Sequence, residues 1–429
     1  MRLKPRHGTH RATTLNIGAA YPFQSEGGLG SRGIYVGREL GGGYGAFVYD
    51  FWELQRQGLL VSPNMIVVGL LRYGKSALVK SLNWRAMAFG HQADMLDPKG
   101  ENGPLCEAAG VEPILLEPNG RLRLNPLDRR LVRGDQLGTA RLLQEQTKML
   151  AAVVEAALHR DAGGRLRAEE QATLEQALRR AGEVGTEHGR EPEIGDVVAA
   201  LFRPTEQMAT NLHLEGGSME MARGCREVAL ALRRLVEGDM AGMFDGPTSP
   251  SIDLGAQLVS LDLSEVYSSP ALPVLMACAG TFLQQRQLGF PDRRHWLTID
   301  EGWALLRDLG TARWLQSAFK LAGKTDSHVV LVAHRFTDME AAGDAGSEQR
   351  AIARGLIGDA GTHVVYRQQT GNMPLTRELL GLTDQEARLV PTLERGIALW
   401  HVGEHRFVVE HRRSAVEEAF TETRRAVAA

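Results

Sequence analysis

The stretch VVGLLRYGKSALVKSL, residues 67–82, decides how the rest of the chain is interpreted. Gly69, Gly74, Lys75 and Ser76 fit the pattern G-x-x-x-x-G-K-[ST], a loop whose backbone amides surround a phosphate chain. The preceding run, NMIVV, predicts a strand, and the segment that follows has helical periodicity. Strand, loop and helix in this order are the context that the motif requires. The sequence therefore predicts a phosphate-binding loop in an α/β domain.

The loop pattern assigns a role to each of its residues. Lys75 is expected to reach the β- and γ-phosphates of ATP, and the Ser76 hydroxyl to ligate Mg²⁺. Backbone amides of the loop and of the first helical turn should face the phosphates. The predicted nucleotide-binding residues are Gly69, Leu70, Leu71, Arg72, Tyr73, Gly74, Lys75, Ser76 and Ala77. Arg72 is unusual, because glycine, which adopts positive φ freely, is frequent at its position; we expect the loop still to close on phosphate.

A pair of acids supplies the other half of a hydrolytic site. RHWLTIDEGWALL reads as an apolar strand followed by Asp300 and Glu301, and strand ends form the ligand crevice of a parallel sheet. Asp300 is therefore predicted to hold Mg²⁺, and Glu301 to polarise the attacking water as a general base. The next strand, VVLVAHR, ends at His334. His334 is placed to sense the γ-phosphate, or else is a hydrogen-bonded histidine at a strand end.

Composition bounds the class of protein. The chain has 429 residues, 43% of them hydrophobic and 24% charged, with a net charge of −3, which is ordinary for a globular chain of two or three domains. Its three cysteines have no metal-ligand spacing, which indicates a reducing compartment. The apolar run at 272–283 is too short to span a bilayer. We expect a cytoplasmic protein that could reach the inner face of the membrane only through partners.

The pattern of predicted strands and helices changes along the chain and divides it into five segments. Strands alternating with helices predict a mostly parallel sheet, and the fold class is therefore α/β with an inserted all-helical subdomain. The predicted segments are a small β-rich N-terminal segment (1–62), the first part of the core (63–129), the helical subdomain (130–248), the second part of the core (249–412) and a C-terminal helix or tail (413–429).

Several short motifs occur in a characteristic order. DPKGE follows the second predicted strand, and further along come the motifs RLNPLD (123–128), DEGW (300–303), AHR (333–335) and YRQ (366–368). This series resembles the HerA/FtsK class of P-loop motor ATPases. Within that class it is similar to the C-terminal ATPase domain of the conjugative-transfer ATPases of type IV secretion systems, in their actinobacterial form. The resemblance implies a RecA-like core, hexameric assembly and Mg²⁺-dependent ATP hydrolysis between subunits.

The resemblance also carries residue roles. It implies that Lys75 and Ser76 bind phosphate and Mg²⁺, that Asp300 binds Mg²⁺ and that Glu301 activates water, whereas His334 stands where the family often has glutamine. An arginine finger from a neighbouring subunit should complete the site; Arg367 and Arg123 are both candidates, and Gln368 is a further candidate for the site. Residues 1–62 are expected to be too short for the long N-terminal domain of classical members.

Three functions follow from these observations. The leading one is an ATP hydrolase that energises conjugative DNA transfer or type IV secretion-like transport. The alternatives are a motor that itself translocates duplex DNA, and a non-catalytic factor that binds nucleotide to hold an assembly together. The implied partners are further copies of the chain in a hexamer, secretion-channel or conjugation proteins, and DNA.

Overall fold

The computed structural model of the protein describes residues 28–41, 45–129, 139–158, 165–336 and 346–422. Residues 1–27 of the predicted N-terminal segment and residues 423–429 of the predicted tail lie outside the described residues. The division of the chain into five segments stays a prediction.

An eleven-stranded sheet runs through the described chain. Its strands are β1 (Ile34–Glu39), β2 (Ala46–Tyr49), β3 (Asn64–Val68), β4 (Gln92–Asp97), β5 (Ile114–Leu115), β6 (Leu258–Asp262), β7 (His295–Ile299), β8 (Ser327–Ala333), β9 (Thr362–Val365), β10 (Ile397–Val402) and β11 (His405–His411). The strand order is β2-β1-β11-β10-β9-β3-β8-β7-β4-β6-β5. Neighbours from β9 to β5 pair in parallel, and those from β2 to β9 pair antiparallel. The predicted α/β class with a mostly parallel sheet is confirmed.

Helices cover both faces of this sheet. They are α1 (Phe51–Arg56), α2 (Lys75–Ala88), α3 (Gly103–Ala108), α4 (Thr139–Leu158), α5 (Ala168–Glu187), α6 (Ile194–Phe202), α7 (Glu206–Asn211), α8 (Gly217–Gly224), α9 (Arg226–Glu237), α10 (Leu272–Gly289), α11 (Leu309–Ala322), α12 (Glu348–Asp359), α13 (Met373–Leu380), α14 (Asp384–Leu389) and α15 (Ala415–Thr421). A 3₁₀ turn, Gly302–Leu306, connects β7 to α11.

The central strands are apolar because both faces of the sheet are covered. Every residue of β3 and β8 is buried, as expected for parallel strands that lie between helices. Alternate residues face opposite sides: Met65 and Val67 join one apolar cluster, and Ile66 and Val68 the other. The register pairs Val68 with Ala333 on the neighbouring strand, so the segments that follow these strands start at the same edge of the sheet.

The N-terminal hairpin belongs to the same sheet as the core. Strand β1 pairs antiparallel with β11, with Gly37 opposite His411. The backbones approach so closely that a Cβ at position 37 would lie 1.9 Å from the Glu410 carbonyl oxygen. The hairpin therefore extends the sheet beyond β11 and has no separate core of its own.

The inserted helices share the core of the sheet. Helices α4 to α9 lie between β5 and β6, and the described residues of this stretch contain no strand. Their apolar side chains, such as Val154 and Leu232, belong to the cluster that also holds Phe282 of α10. Helix α4 touches α11 so closely that a Cβ on Gly310 would lie 2.4 Å from the Ala156 nitrogen. The predicted all-helical insertion is present, and it packs directly on one face of the sheet.

A buried ion pair yields a prediction about stability. The Arg286 guanidinium, fully buried, donates to the Asp94 carboxylate and to the Leu254 carbonyl at 2.9 Å. Burial alone would raise the pKa of Asp94, but Arg286 and His295 hold it below its usual value. Arg286→Met leaves this carboxylate buried without its cation, and we expect it to lower the free energy of unfolding by about 3–5 kcal/mol.

Denaturant unfolding measures this effect, and the double variant Arg286→Met, Asp94→Asn is the control. It removes the stranded charge and should recover part of the loss. A single-variant loss below about 1 kcal/mol would contradict the prediction, since that is the range of exposed ion pairs.

Candidate functional site

The phosphate loop is shaped by the segment that follows β9. Gly69, directly after β3, packs closely against Tyr366. A Cβ added to it would lie 2.3 Å from the Tyr366 Cβ. Gly74 caps α2 with φ +115, and an added Cβ would lie 3.2 Å from the Tyr366 ring. Tyr366, buried beneath the loop, therefore explains why both motif positions carry glycine.

Arg72, which stands at a loop position where glycine is frequent, adopts the left-handed backbone conformation. Its φ is +68, a region that costs a residue with a Cβ roughly 1–2 kcal/mol. Hydrogen bonds on either side hold the loop in place: the Leu70 amide donates to the Arg367 carbonyl at 3.0 Å, and the Gly396 amide donates to the Tyr73 carbonyl at 3.0 Å. The neighbouring chain thus supports a conformation that glycine would adopt without strain.

The loop leads into the N-terminus of helix α2. The amides of Gly74, Lys75 and Ser76 donate to no acceptor within the part of the chain that the structure describes. Such amides, together with the positive end of the helix dipole, form an anion-binding site. Helix α2 is fourteen residues long, so the dipole is fully developed.

Lys75 is held by its own loop. Its side chain is 5% exposed, and Nζ donates to the Gly69 carbonyl at 2.5 Å and to the Leu70 carbonyl at 3.1 Å. Burial lowers the pKa of Lys75 to about 8, against the opposing effect of the Asp300 and Glu301 carboxylates. To reach a phosphate, the ammonium group must exchange these carbonyls for phosphate oxygens.

Ser76 and Asp300 line the same small cavity, together with Thr298 and Glu101. Burial and the nearby carboxylates of Glu301 and Asp97 raise the pKa of Asp300 to about 7. A hydroxyl and a carboxylate are the hard oxygen ligands that Mg²⁺ prefers. No group of three or more His, Cys, Asp or Glu side chains among the described residues is arranged to hold a metal. The donor set therefore fits Mg²⁺ bound through one carboxylate, with waters and nucleotide phosphates as the other ligands.

Glu301 is surrounded by hydrogen-bond donors. It has φ +51 at the start of the 3₁₀ turn, and its side chain is buried. Its carboxylate accepts from Lys99 Nζ, from Trp303 Nε1 and, at 3.0 Å, from His334 Nε2. Burial would raise the pKa of Glu301, but the hydrogen bonds from His334 and Lys99 outweigh it and lower the pKa to about 2. Glu301 is therefore ionised, with its oxygens occupied by three donors.

His334 connects the two halves of the site. Its Nδ1 lies 3.4 Å from Lys75 Nζ, and its Nε2 contacts Glu301. A neutral ring protonated on Nε2 satisfies both contacts, since Nε2 then donates to the carboxylate and Nδ1 accepts from the ammonium group. Lys75, His334, Glu301 and Lys99 consequently form one connected network.

Lys99 and Trp303 are site residues to which sequence reasoning gave no role. Both lie within motifs visible in the sequence, DPKGE and DEGW, so a signal for them was present. The DPKGE turn is fixed from two sides, because the Asp97 carboxylate accepts the Asn102 amide at 2.8 Å and Lys80 Nζ donates to the Glu101 carbonyl at 2.6 Å. Burial would lower the pKa of Lys99, but its hydrogen bond to Glu301 outweighs this effect, and the pKa lies above its ordinary value.

The two candidates for the arginine finger lie in different surroundings. Arg367 lies beside its own loop, with its guanidinium carbon 5.6 Å from the centre of the Tyr73 ring. Arg123 instead donates to the Asp245 carboxylate at 2.9 Å. Gln368 is 1% exposed, and neither of its amide atoms has a partner among the described residues. The choice of finger residue remains a prediction.

Asp300 makes stability depend on pH in the absence of nucleotide and Mg²⁺. Its pKa is about 7 in the folded protein and 3.8 ordinarily, so the folded state binds the proton more tightly and loses this advantage as pH rises through 7. Glu301 acts in the opposite sense, but only below its ordinary value of 4.5. We expect Asp300→Asn to be more stable than the unchanged chain at pH 8 and closer to it at pH 5. Melting temperatures of both proteins measure this, and an equal difference at both pH values would contradict it.

No helix in the described ranges combines the length and the apolar character that crossing a membrane requires. No protein-family model matches the chain, and no curated protein matches it by sequence.

Solved structures do match it. The structure of VirB4 of Thermoanaerobacter pseudethanolicus superposes with a TM-score of 0.67 at 19% identity, covering 91% of this chain and 100% of that one. The plasmid coupling protein TrwB in complex with the ATP analogue ADPNP matches with a TM-score of 0.55 at 17% identity, covering 91% and 97%. TrwB in complex with ADP and Mg²⁺ matches with 0.53 at 16%, covering 92% and 99%. The resemblance predicted from the motifs is thus confirmed at the level of the fold, and this chain shares the fold of VirB4 and TrwB.

Proposed function

We propose that the chain is a Mg²⁺-dependent ATP hydrolase that energises conjugative DNA transfer or type IV secretion-like transport of a substrate. The observation that carries the proposal is the convergence, at the ends of three neighbouring parallel strands, of Lys75 and Ser76 after β3, Asp300 and Glu301 after β7, and His334 after β8. These are the groups that phosphoryl transfer to water needs.

Each group has a chemical task in this proposal. The free amides at the start of α2 and the Lys75 ammonium orient the phosphates, and Ser76 and Asp300 hold the metal. Mg²⁺, when bound, neutralises charge on the phosphate oxygens. Glu301 orients the attacking water and accepts its proton, and His334 links Glu301 to Lys75. Arg367 of this chain, or an arginine of a neighbouring copy, supplies the cation for the transition state.

One contact favours the second candidate, a factor that binds nucleotide without turnover. Three donors hold the pKa of Glu301 near 2, which makes it a weak base, and they leave about one acceptor site for water. The bond from Lys99 is the strongest of the three, because both of its partners are charged. In the hydrolase proposal this bond restrains a resting site. We expect Lys99→Met to raise ATP turnover several-fold at unchanged ATP affinity, since the pKa of Glu301 then moves toward its ordinary value.

Steady-state phosphate release and nucleotide titration measure the two quantities. Arg233→Met, on the surface of α9, is the control and should change neither. If Lys99→Met turns over ATP no faster than the unchanged chain, the restraining role is wrong.

DNA and assembly are tested together. We propose a hexamer that works with channel or conjugation proteins, as the resemblance of the motifs implies. ATP turnover and particle mass, measured with and without duplex DNA, decide between the alternatives. Strong stimulation by DNA, with salt-sensitive binding, supports direct translocation. Turnover without DNA binding rules out the duplex motor, and absence of turnover in the assembled state rules out the hydrolase.

A further inference from the structure

Helix α2 carries a second buried lysine beyond the phosphate loop. Lys80 follows Ser76 by four residues, so the two side chains lie on the same face of the helix. Lys80 is 3% exposed, and it lines the small cavity that Ser76 and Asp300 also line. The loop motif gives no role to Lys80. Its position nevertheless places a cation inside the site and not on the outer surface of α2.

The hydrogen bond of Lys80 goes to the DPKGE turn. Its Nζ donates to the Glu101 carbonyl at 2.6 Å. Burial lowers the pKa of Lys80, against the opposing effect of the Glu101 and Asp97 carboxylates. Lysine is seldom fully buried, because removing its charge from water costs free energy that an apolar side chain of similar size does not lose. The contact that this cost maintains is the connection between α2 and the turn.

The DPKGE turn places Lys99 two residues before Glu101. At the start of the turn, the Asp97 carboxylate accepts the Lys99 amide at 3.2 Å. Between Lys99 and Glu101 stands Gly100, with φ +68, and an added Cβ there would lie 2.9 Å from Asp262 Oδ2, directly after β6. The turn is therefore fixed to its own strand and closely packed on its neighbour. The Glu101 carbonyl is the point at which α2 helps to determine where Lys99 lies.

We propose that Lys80 is a positioning residue of the site: by holding the Glu101 carbonyl, it sets Lys99 against the Glu301 carboxylate. Lys99 Nζ donates to Glu301, so a turn that is displaced from α2 weakens this bond. Lys80 acts through Lys99 and does not itself contact the reacting groups. The helix that begins at the phosphate loop thereby determines how firmly the proposed base is restrained. The effect on turnover rests on the proposed function, whereas the positioning of Lys99 does not.

The test is acetylation of Lys99 by N-acetoxysuccinimide in the absence of ATP, followed by peptide mass spectrometry. Only the neutral amine is acylated, so an ammonium group bound to a carboxylate reacts slowly. We expect Lys80→Met to raise the acetylation rate of Lys99 about tenfold, the effect of one lost hydrogen bond. Glu301→Gln, which removes the charge of the acceptor, is the positive control and should also raise the rate. Lys320→Met, exposed on α11, is the matched control and should leave it unchanged.

Two further variants separate positioning from a general loss of structure. Lys80→Gln keeps a polar group beside the carboxylates, but its side chain is too short to hold the Glu101 carbonyl, so Lys99 should again react faster. Lys80→Arg keeps both the donor and the charge and should keep Lys99 protected. Melting curves check that each variant folds. Steady-state phosphate release should show a several-fold higher kcat for Lys80→Met at unchanged KM, and no further gain when Lys80→Met is added to Lys99→Met, because both changes act on one bond.

Two results would overturn the proposal. The first is an unchanged acetylation rate of Lys99 in folded Lys80→Met and Lys80→Gln. The second is a gain in turnover from Lys80→Met that adds in full to that of Lys99→Met, since Lys80 would then act by another route. Faster acetylation of Lys99 in variants that, like the unchanged chain, hydrolyse no ATP would support the positioning and contradict the proposed hydrolase.

Discussion

Replacing Glu301 by glutamine should reduce ATP turnover by about 10²–10⁴-fold, the usual contribution of a general base, while ATP binding persists. The amide is nearly the same size as the carboxylate but cannot accept a proton from water. Its nitrogen also faces donors, because Lys99, Trp303 and His334 all donate to this group. The phosphate-binding amides of α2 are untouched, which is why affinity should stay within a few-fold.

Phosphate release under saturating ATP and a separate nucleotide titration distinguish the two effects. The matched control is Glu394→Gln, an exposed acid outside the site, which should leave both quantities unchanged. Turnover that survives in Glu301→Gln would remove this residue from the role of base. Loss of ATP binding would instead show that the variant disturbs the loop through His334.

Replacing Lys75 by alanine should remove both binding and turnover. Lys75 carries the only buried cation among the side chains of the loop. Each charge-assisted bond from it to phosphate contributes about 1.5–3 kcal/mol. Loss of one or two such bonds predicts a rise in the dissociation constant of ATP of about 100-fold. Turnover at ordinary ATP concentrations falls with it, and further because the transition state carries more charge to be neutralised than the bound nucleotide.

Arg72→Ala is the matched control, since it removes a cation from the same loop. The Arg72 side chain is exposed, so we expect ATP affinity to change less than about threefold. Calorimetric titration measures both variants. Equal losses in Lys75→Ala and Arg72→Ala would mean that general charge, and not the buried ammonium group, determines binding.

Local sequence signals account for the part of the site that follows single strands. The glycines of the loop, Lys75, Ser76 and the acid pair could all be named from motif and strand context, because a strand end in a parallel sheet places its next residues at the ligand edge. The fold class followed from alternation of strands and helices, and the order of short motifs pointed to the fold that VirB4 and TrwB share.

Contacts between distant segments could not be read in this way. The role of Lys99 depends on the buried Glu301 carboxylate, which is about 200 residues away from it in the chain. Tyr366 leaves room only for glycine at both loop positions. It follows β9, which pairs with β3 although most of the chain lies between these two strands. Neither relation leaves a periodicity or spacing in the sequence.

The sequence by itself determined the chemical groups of the site and the α/β class, because both depend on short-range patterns: a loop motif, strand ends, and alternating apolar segments. Only the tertiary structure decided the state of those groups. Burial and three converging donors lower the pKa of Glu301, whereas burial and neighbouring carboxylates raise the pKa of Asp300 beside it. Two adjacent acids thus acquire opposite properties, because electrostatic energy depends on distance and solvent exposure, and the folded chain alone sets these.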